Sequence, residues 1–103
     1  MADFVKVATT QSELVPGQAR QLEVNGHSIA LFNVDGQLFA IDNTCTHRGG
    51  PLAEGRVSGH EVACPLHGAK FDVRTGQVTG PPARQAVACY KVRVTGTDIE
   101  IEV

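Results

Sequence analysis

Apolar and polar positions alternate with a period of two near the end of this chain. Tyr90, Val92 and Val94 alternate with Lys91 and Arg93, and Ile99, Ile101 and Val103 alternate with Glu100 and Glu102. That period belongs to strands with one covered face and one wet face. Thr95-Gly96-Thr97-Asp98 lies between the two runs and predicts a hairpin, with Lys and Arg on one strand facing Glu on the next. Upstream, apolar-rich runs at residues 19–24, 27–34 and 37–41 are separated by Asn25-Gly26 and Asp35-Gly36. Both dipeptides favour type I′ turns, whose central residues need φ > 0, so residues 19–42 predict a three-stranded antiparallel meander. Phe4-Val5-Lys6-Val7 predicts a short strand. Thr10-Gln11-Ser12-Glu13 has the form of a capping box for one helical turn before Pro16-Gly17.

The middle of the chain has a different texture. Residues 43–83 hold seven of the eleven glycines and four of the five prolines, with short apolar runs at Glu61-Val62-Ala63 and Lys70-Phe71-Asp72-Val73. No stretch of ten or more residues has a helical period. The expected fold is all-β: an antiparallel sandwich or open barrel with an inserted loop-rich lobe at about residues 43–73. The whole chain, 1–103, is expected to form a single domain, as its 103 residues suit.

Composition narrows the function classes. Hydrophobic residues make up 42% and charged residues 19%, the balance of an ordinary folded domain. The net charge of −2 and the absence of any Lys/Arg run speak against nucleic acid as a partner. The first residues lack the basic and apolar regions of a secretory signal, and no apolar run approaches the roughly 20 residues that span a bilayer. A cytoplasmic protein without a membrane partner is the expectation. Three cysteines is an odd number, which does not suit a complete disulfide framework.

Cys45 and Cys64 each have a histidine close behind, and Cys89 has none. The boxes are Cys45-Thr46-His47-Arg48-Gly49-Gly50-Pro51-Leu52 and Cys64-Pro65-Leu66-His67-Gly68, that is, C-x-H, sixteen residues, then C-x-x-H. Each box offers one thiolate and one imidazole from a tight loop, and the glycines let backbone pass close to a metal without Cβ clashes. Soft thiolates with imidazoles disfavour Mg and Ca and leave zinc or iron–sulfur. A structural zinc site is the plainer alternative, since tetrahedral Cys₂His₂ suits zinc. Zinc fingers of that class usually keep the cysteines in one box and the histidines in the other, whereas both boxes here are mixed. A nucleophilic Cys–His pair is a third reading, but it does not explain why the arrangement occurs twice.

The two boxes resemble those of the Rieske iron–sulfur family, C-x-H and C-x-x-H about fifteen to seventeen residues apart. Gly80-Pro81 also falls where that family has a loop covering its cluster. The resemblance implies one 2Fe–2S cluster, with Cys45 and Cys64 on one iron and His47 and His67 on the other. The respiratory members of the family carry an added disulfide and two hydroxyl donors near the cluster sulfurs; the matching positions here are Gly50, Leu66, Ala69 and Phe71. Hydrogen bonds to sulfur stabilise the reduced cluster, so their absence implies a potential toward the low end of the Rieske range, roughly −150 mV.

A cluster without a substrate site is an electron carrier. Oxygenases with a Rieske domain add a mononuclear iron held by two histidines and a carboxylate, and only His27 and His60 remain here. The resemblance therefore implies a monomeric ferredoxin, not an enzyme, passing electrons from a flavin-dependent reductase to a terminal Rieske oxygenase. It is similar to the ferredoxin component of bacterial aromatic-ring dioxygenase systems. The alternative is a Rieske-like small subunit of a larger enzyme such as nitrite reductase. His27 and His60 are expected to be surface residues beside turns, Cys89 an exposed spare thiol, the phenylalanines core residues, and Pro81-Pro82 a shield over the cluster.

Overall fold

The structure, a computed structural model, describes residues 4–10 (backbone only at 8–10), 13–45, 50–66, 68–81 and 85–102. Eleven strands are present among them: β1 (Phe4–Thr10), β2 (Ala19–Val24), β3 (His27–Val34), β4 (Gln37–Asp42), β5 (Arg56–Ser58), β6 (Glu61–Ala63), β7 (Lys70–Asp72), β8 (Val78–Gly80), β9 (Cys89–Tyr90), β10 (Val92–Thr95) and β11 (Asp98–Glu102). They form three antiparallel sheets, ordered β1-β11-β10, β2-β3-β4-β9 and β5-β6-β7-β8. Among the described residues the sheets do not close into a barrel.

The meander forms where the turn chemistry places it. Asn25 and Asp35 sit at φ 50° and 53°, followed by Gly26 and Gly36 at 81° and 91°. These left-handed pairs match the twist of the flanking strands, so β2, β3 and β4 pair without a register slip. β3 is the centre of the molecule. Its run Ile29-Ala30-Leu31-Phe32-Asn33-Val34 is buried on both faces. Ile29 and Leu31 join Val7, Leu14, Ile99 and Ile101 on the side of the β1-β11-β10 sheet. Ala30, Phe32 and Val34 join Leu52, Val62, Phe71, Cys45 and Cys64 on the side of the lobe. A near-continuous apolar strand thus separates two cores, and the lobe packs on one of them.

Several expectations change in detail. β1 runs on to Thr10, so the first capping-box position is strand, while Glu13, the last, lies in a 3-10 turn; Gln11 and Ser12 lie outside the described residues. The C-terminal hairpin forms, but β10 is poorly covered and Val94 is 40% exposed, because β10 is an edge with β11 as its partner. Cys89 and Tyr90 are not part of that hairpin and pair with β4 instead. Arg93 does face Glu100, bonded at 2.5 Å, and its guanidinium also lies 4.2 Å from the centroid of the half-buried Phe4 ring. Phe32 and Phe71 are fully buried, while Phe39 is half-buried with His60 against its edge. The apolar runs at 61–63 and 70–73 hold β6 and β7, and β5 and β8 extend them into a sheet that reaches Gly80.

Candidate metal centre

Both cysteine boxes sit on closed loops. The first leaves β4 at Asn43. There Leu52 N–H donates to the Asn43 carbonyl (2.7 Å), Thr44 bridges to Pro51, and Cys45 N–H donates to the Gly50 carbonyl (2.9 Å). The second joins β6 to β7. Cys64 N–H donates to the Ala69 carbonyl (2.7 Å), and Gly68, at φ 76°, donates its N–H to the Cys64 carbonyl (3.0 Å). Each loop is therefore pinned at its neck, and each cysteine stands at a neck.

The two necks meet at Gly50. A β-carbon built there would stand 2.5 Å from the Cys64 sulfur and 3.1 Å from Leu66 side-chain carbons, so the first loop passes the second with no room for a side chain. Cys45 and Cys64 are 2% and 3% exposed, belong to one apolar cluster and are not disulfide-bonded. Two buried thiols beside one glycine, in surroundings that exclude water, suit a metal–sulfur centre. His47 and His67, the predicted imidazole partners, lie outside the described residues, as do Arg48 and Pro82.

Ala69 and Phe71 are fully buried beside the cysteines, in positions that offer no hydroxyl to a sulfur. Leu66 and Pro65 are exposed at the loop tip, Leu66 by 55%, and Pro81 is exposed as well. Leu52, the last residue of the first box, is fully buried in the core beneath the first loop. Beyond the cysteines, Arg74 makes two side-chain bonds to Asp72, and that hydrogen bonding holds the Asp72 carboxyl below its ordinary range.

Cys89 and His27 are exposed, as expected, whereas His60, expected at the surface, is half-buried in the turn between β5 and β6 against the Phe39 ring. A groove of about 620 Å³ is lined by Phe39, Val73, Arg74, Cys89, Tyr90 and Val92 among others, and none of its lining residues comes from either cysteine box. Sequence reasoning passed over Asn43, which is buried and bonded to the first loop through both main chain and side chain. The sequence signal was faint: an amide next to a predicted strand end, two residues before Cys45.

Residues 4–91 match the Rieske 2Fe-2S domain. The chain belongs to the Rieske family. Its cofactor is accordingly one Rieske-type 2Fe–2S cluster, and the buried thiol pair fits it. The biphenyl dioxygenase ferredoxin subunit of Pseudomonas sp. (strain KKS102) is 40% identical over 96 residues, spanning 92% of this chain and 88% of that one. The ferredoxin of carbazole 1,9a-dioxygenase from Nocardioides aromaticivorans IC177 superposes with a TM-score of 0.91 at 35% identity, covering 95% of both chains. A chain from a complex of reduced oxygenase and oxidised ferredoxin in carbazole 1,9a-dioxygenase gives a TM-score of 0.89 at 30% identity over 96% of this chain and 92% of that one. Proteins described as nitrite reductase small subunits share the Rieske fold at under 25% identity, a likeness of fold alone.

Proposed function

We propose that this protein is the ferredoxin of a multicomponent ring-hydroxylating dioxygenase system. It is an electron carrier, not an enzyme. When bound, the cluster accepts and releases one electron at a time. Cys45 and Cys64 hold one iron, and His47 and His67 hold the other. The observation that carries this reading is the meeting of the Cys45 and Cys64 loops at Gly50, within a chain 40% identical to a dioxygenase ferredoxin subunit. The region of about residues 43–73, extended by β8, acts as the cluster-binding lobe of a single domain.

The chain's own residues do three things for that electron. The buried apolar cluster around the cysteines keeps water from the sulfurs. The loop necks hold the thiolates in fixed positions, so little reorganisation accompanies a change of charge. The exposed Leu66, Pro65 and Pro81 give apolar surface for docking, suited to a transient interface of under about 1,200 Å². A flavin-dependent reductase is the electron donor and a terminal Rieske oxygenase the acceptor, both in the cytoplasm, with the carrier working as a monomer. No helix among the described residues is long and apolar enough to cross a membrane.

The test is reconstitution. Purified holoprotein mixed with a dioxygenase flavin reductase and NADH should bleach in its visible bands and recolour when terminal oxygenase is added. A protein that stays oxidised with every reductase of this class, or that purifies only as a bound subunit of a larger enzyme, contradicts the carrier role.

A further inference from the structure

Two polar side chains are buried in this protein, among the described residues: Asn33, 5% exposed, and Asn43, 4% exposed. Burying an amide is unfavourable unless its polar atoms are bonded, so each must organise something. Asn33 organises the scaffold. Its Nδ2 donates to the Leu14 carbonyl (2.7 Å) and its Oδ1 accepts from Gly36 N–H (2.9 Å), tying β3 to the turn after it. Asn43 organises the loop that carries the first cysteine box.

A short 3-10 helix, Leu52–Glu54, follows that loop and begins at Pro51. Helix starts leave N–H groups without intrahelical partners, and a side-chain oxygen at the cap position normally takes one of them. Pro51 has no such oxygen. Asn43 supplies both acceptors from across the loop: its main-chain carbonyl takes Leu52 N–H at 2.7 Å, and its Oδ1 takes Ala53 N–H at 2.8 Å. Its own N–H donates to the Ser28 carbonyl at 2.9 Å, which anchors the arrangement to the start of β3. From this clamp the Thr44–Pro51 bridge and the Cys45–Gly50 bond follow in sequence, and Gly50 passes the Cys64 sulfur so closely that a β-carbon there would stand 2.5 Å from it.

We propose that Asn43 is a positioning residue for the cluster: by capping the Leu52–Glu54 turn it fixes the neck of the first loop, and through Gly50 it fixes Cys45 relative to Cys64. The inference rests on the ligand reading above. Its consequence is that loss of the one side-chain bond at position 43 alters the cluster itself, whereas loss of the two buried side-chain bonds of Asn33 lowers only the stability of the scaffold. Outer partners of metal ligands have such effects, with losses of roughly 10–100-fold in metal affinity when they are removed.

The test compares Asn43→Ala, Asn43→Asp and Asn33→Ala as holoproteins, reading the melting temperature, the EPR g values of the reduced state, the midpoint potential and the rate of cluster loss to a chelator. Asn43→Ala should shift the g values and the midpoint and lose its cluster roughly 10–100-fold faster. Asn43→Asp, which keeps an oxygen for Ala53 N–H, should stay close to wild type. Asn33→Ala should melt earlier with wild-type g values and midpoint. If Asn43→Ala does not fold, Asn43→Ser is read in its place. Wild-type spectra and release in Asn43→Ala, or in Asn43→Ser where it is read instead, overturn the proposal, and so does an equal spectral shift in Asn33→Ala. A wild-type protein lacking the mixed-ligand signal overturns the ligand reading itself, before any variant is compared.

Discussion

The Tyr90 hydroxyl donates to Asp42 Oδ1 at 2.6 Å, closing the β4–β9 pair three residues before Cys45. Burial first, and then the bond and charge of Asp42, push the Tyr90 phenol up to about 12. The folded state thus favours the neutral phenol. Its contribution to stability is intact below the unfolded value near 10 and is lost as pH rises through about 12. Tyr90 is the only tyrosine and the chain has no tryptophan, so the titration has one source in the protein. The phenolate absorbance should rise at about pH 12, and the denaturation midpoint should fall more steeply between pH 10 and 12 in wild type than in Tyr90→Phe. A phenolate step near pH 10 in the folded protein contradicts the bond.

Single substitutions at the cysteines should separate sharply. Cys64→Ala should give colourless protein, and because metal binding and folding are coupled in small lobes, amides in the β5–β8 sheet should lose exchange protection. Cys89→Ser, at an exposed thiol outside both boxes, should keep its colour and fall within about 0.5 kcal/mol of wild-type stability. Loss of colour in Cys89→Ser shows that the third cysteine has been misplaced.

Much of this was legible in the chain. Asn25-Gly26 and Asp35-Gly36 define the meander because their turn geometry is local and nearly obligatory. The cysteine boxes were legible as spacing, and Gly50 as a residue that lets backbone pass close. The lobe sheet was only half legible. β5 and β8 are three residues each, built from Arg56-Val57-Ser58 and Val78-Thr79-Gly80, and such short segments become strands only through pairing with β6 and β7. Val94 reads as buried by its period, yet it lies on an edge strand and is exposed. Asn43 was illegible for a further reason: its role depends on Pro51 lacking a cap, a relation between two distant positions and not a local pattern.

The buried, hydroxyl-free pair Ala69 and Phe71 sets an expectation for potential. Ala69→Ser and Phe71→Tyr should each raise the midpoint, because a hydroxyl donated to cluster sulfur favours the reduced state. The wild-type midpoint should be well below zero. Protein-film voltammetry reads both. A wild-type value near the top of the Rieske range, or a midpoint unmoved in both variants, contradicts the tuning argument.

Docking at the loop tip predicts a kinetic split. Leu66→Glu should slow electron transfer to the oxygenase with little change in spectrum or midpoint, since it adds a charge to an exposed apolar contact. Arg48→Glu should act the same way. Glu23→Lys, at an exposed position of β2, is the matched control and should transfer at nearly the wild-type rate at moderate salt. It is preferable to a Glu100 variant, because Glu100 is bonded to Arg93 and Thr95, and those bonds hold its carboxyl below the ordinary range. Stopped-flow traces with the Leu66 and Arg48 variants at wild-type rates and the Glu23 variant impaired place the docking face elsewhere.

The assignment of Cys45, His47, Cys64 and His67 to one mixed-ligand 2Fe–2S cluster is tested most directly by pulsed EPR on dithionite-reduced protein with ¹⁵N-labelled histidine. The account predicts about two irons per chain, a low average g value, and hyperfine couplings from two histidine nitrogens. The same preparation from His47→Ala should have lost the cluster. A zinc-containing, colourless protein, or an iron–sulfur signal without histidine nitrogen couplings, contradicts it.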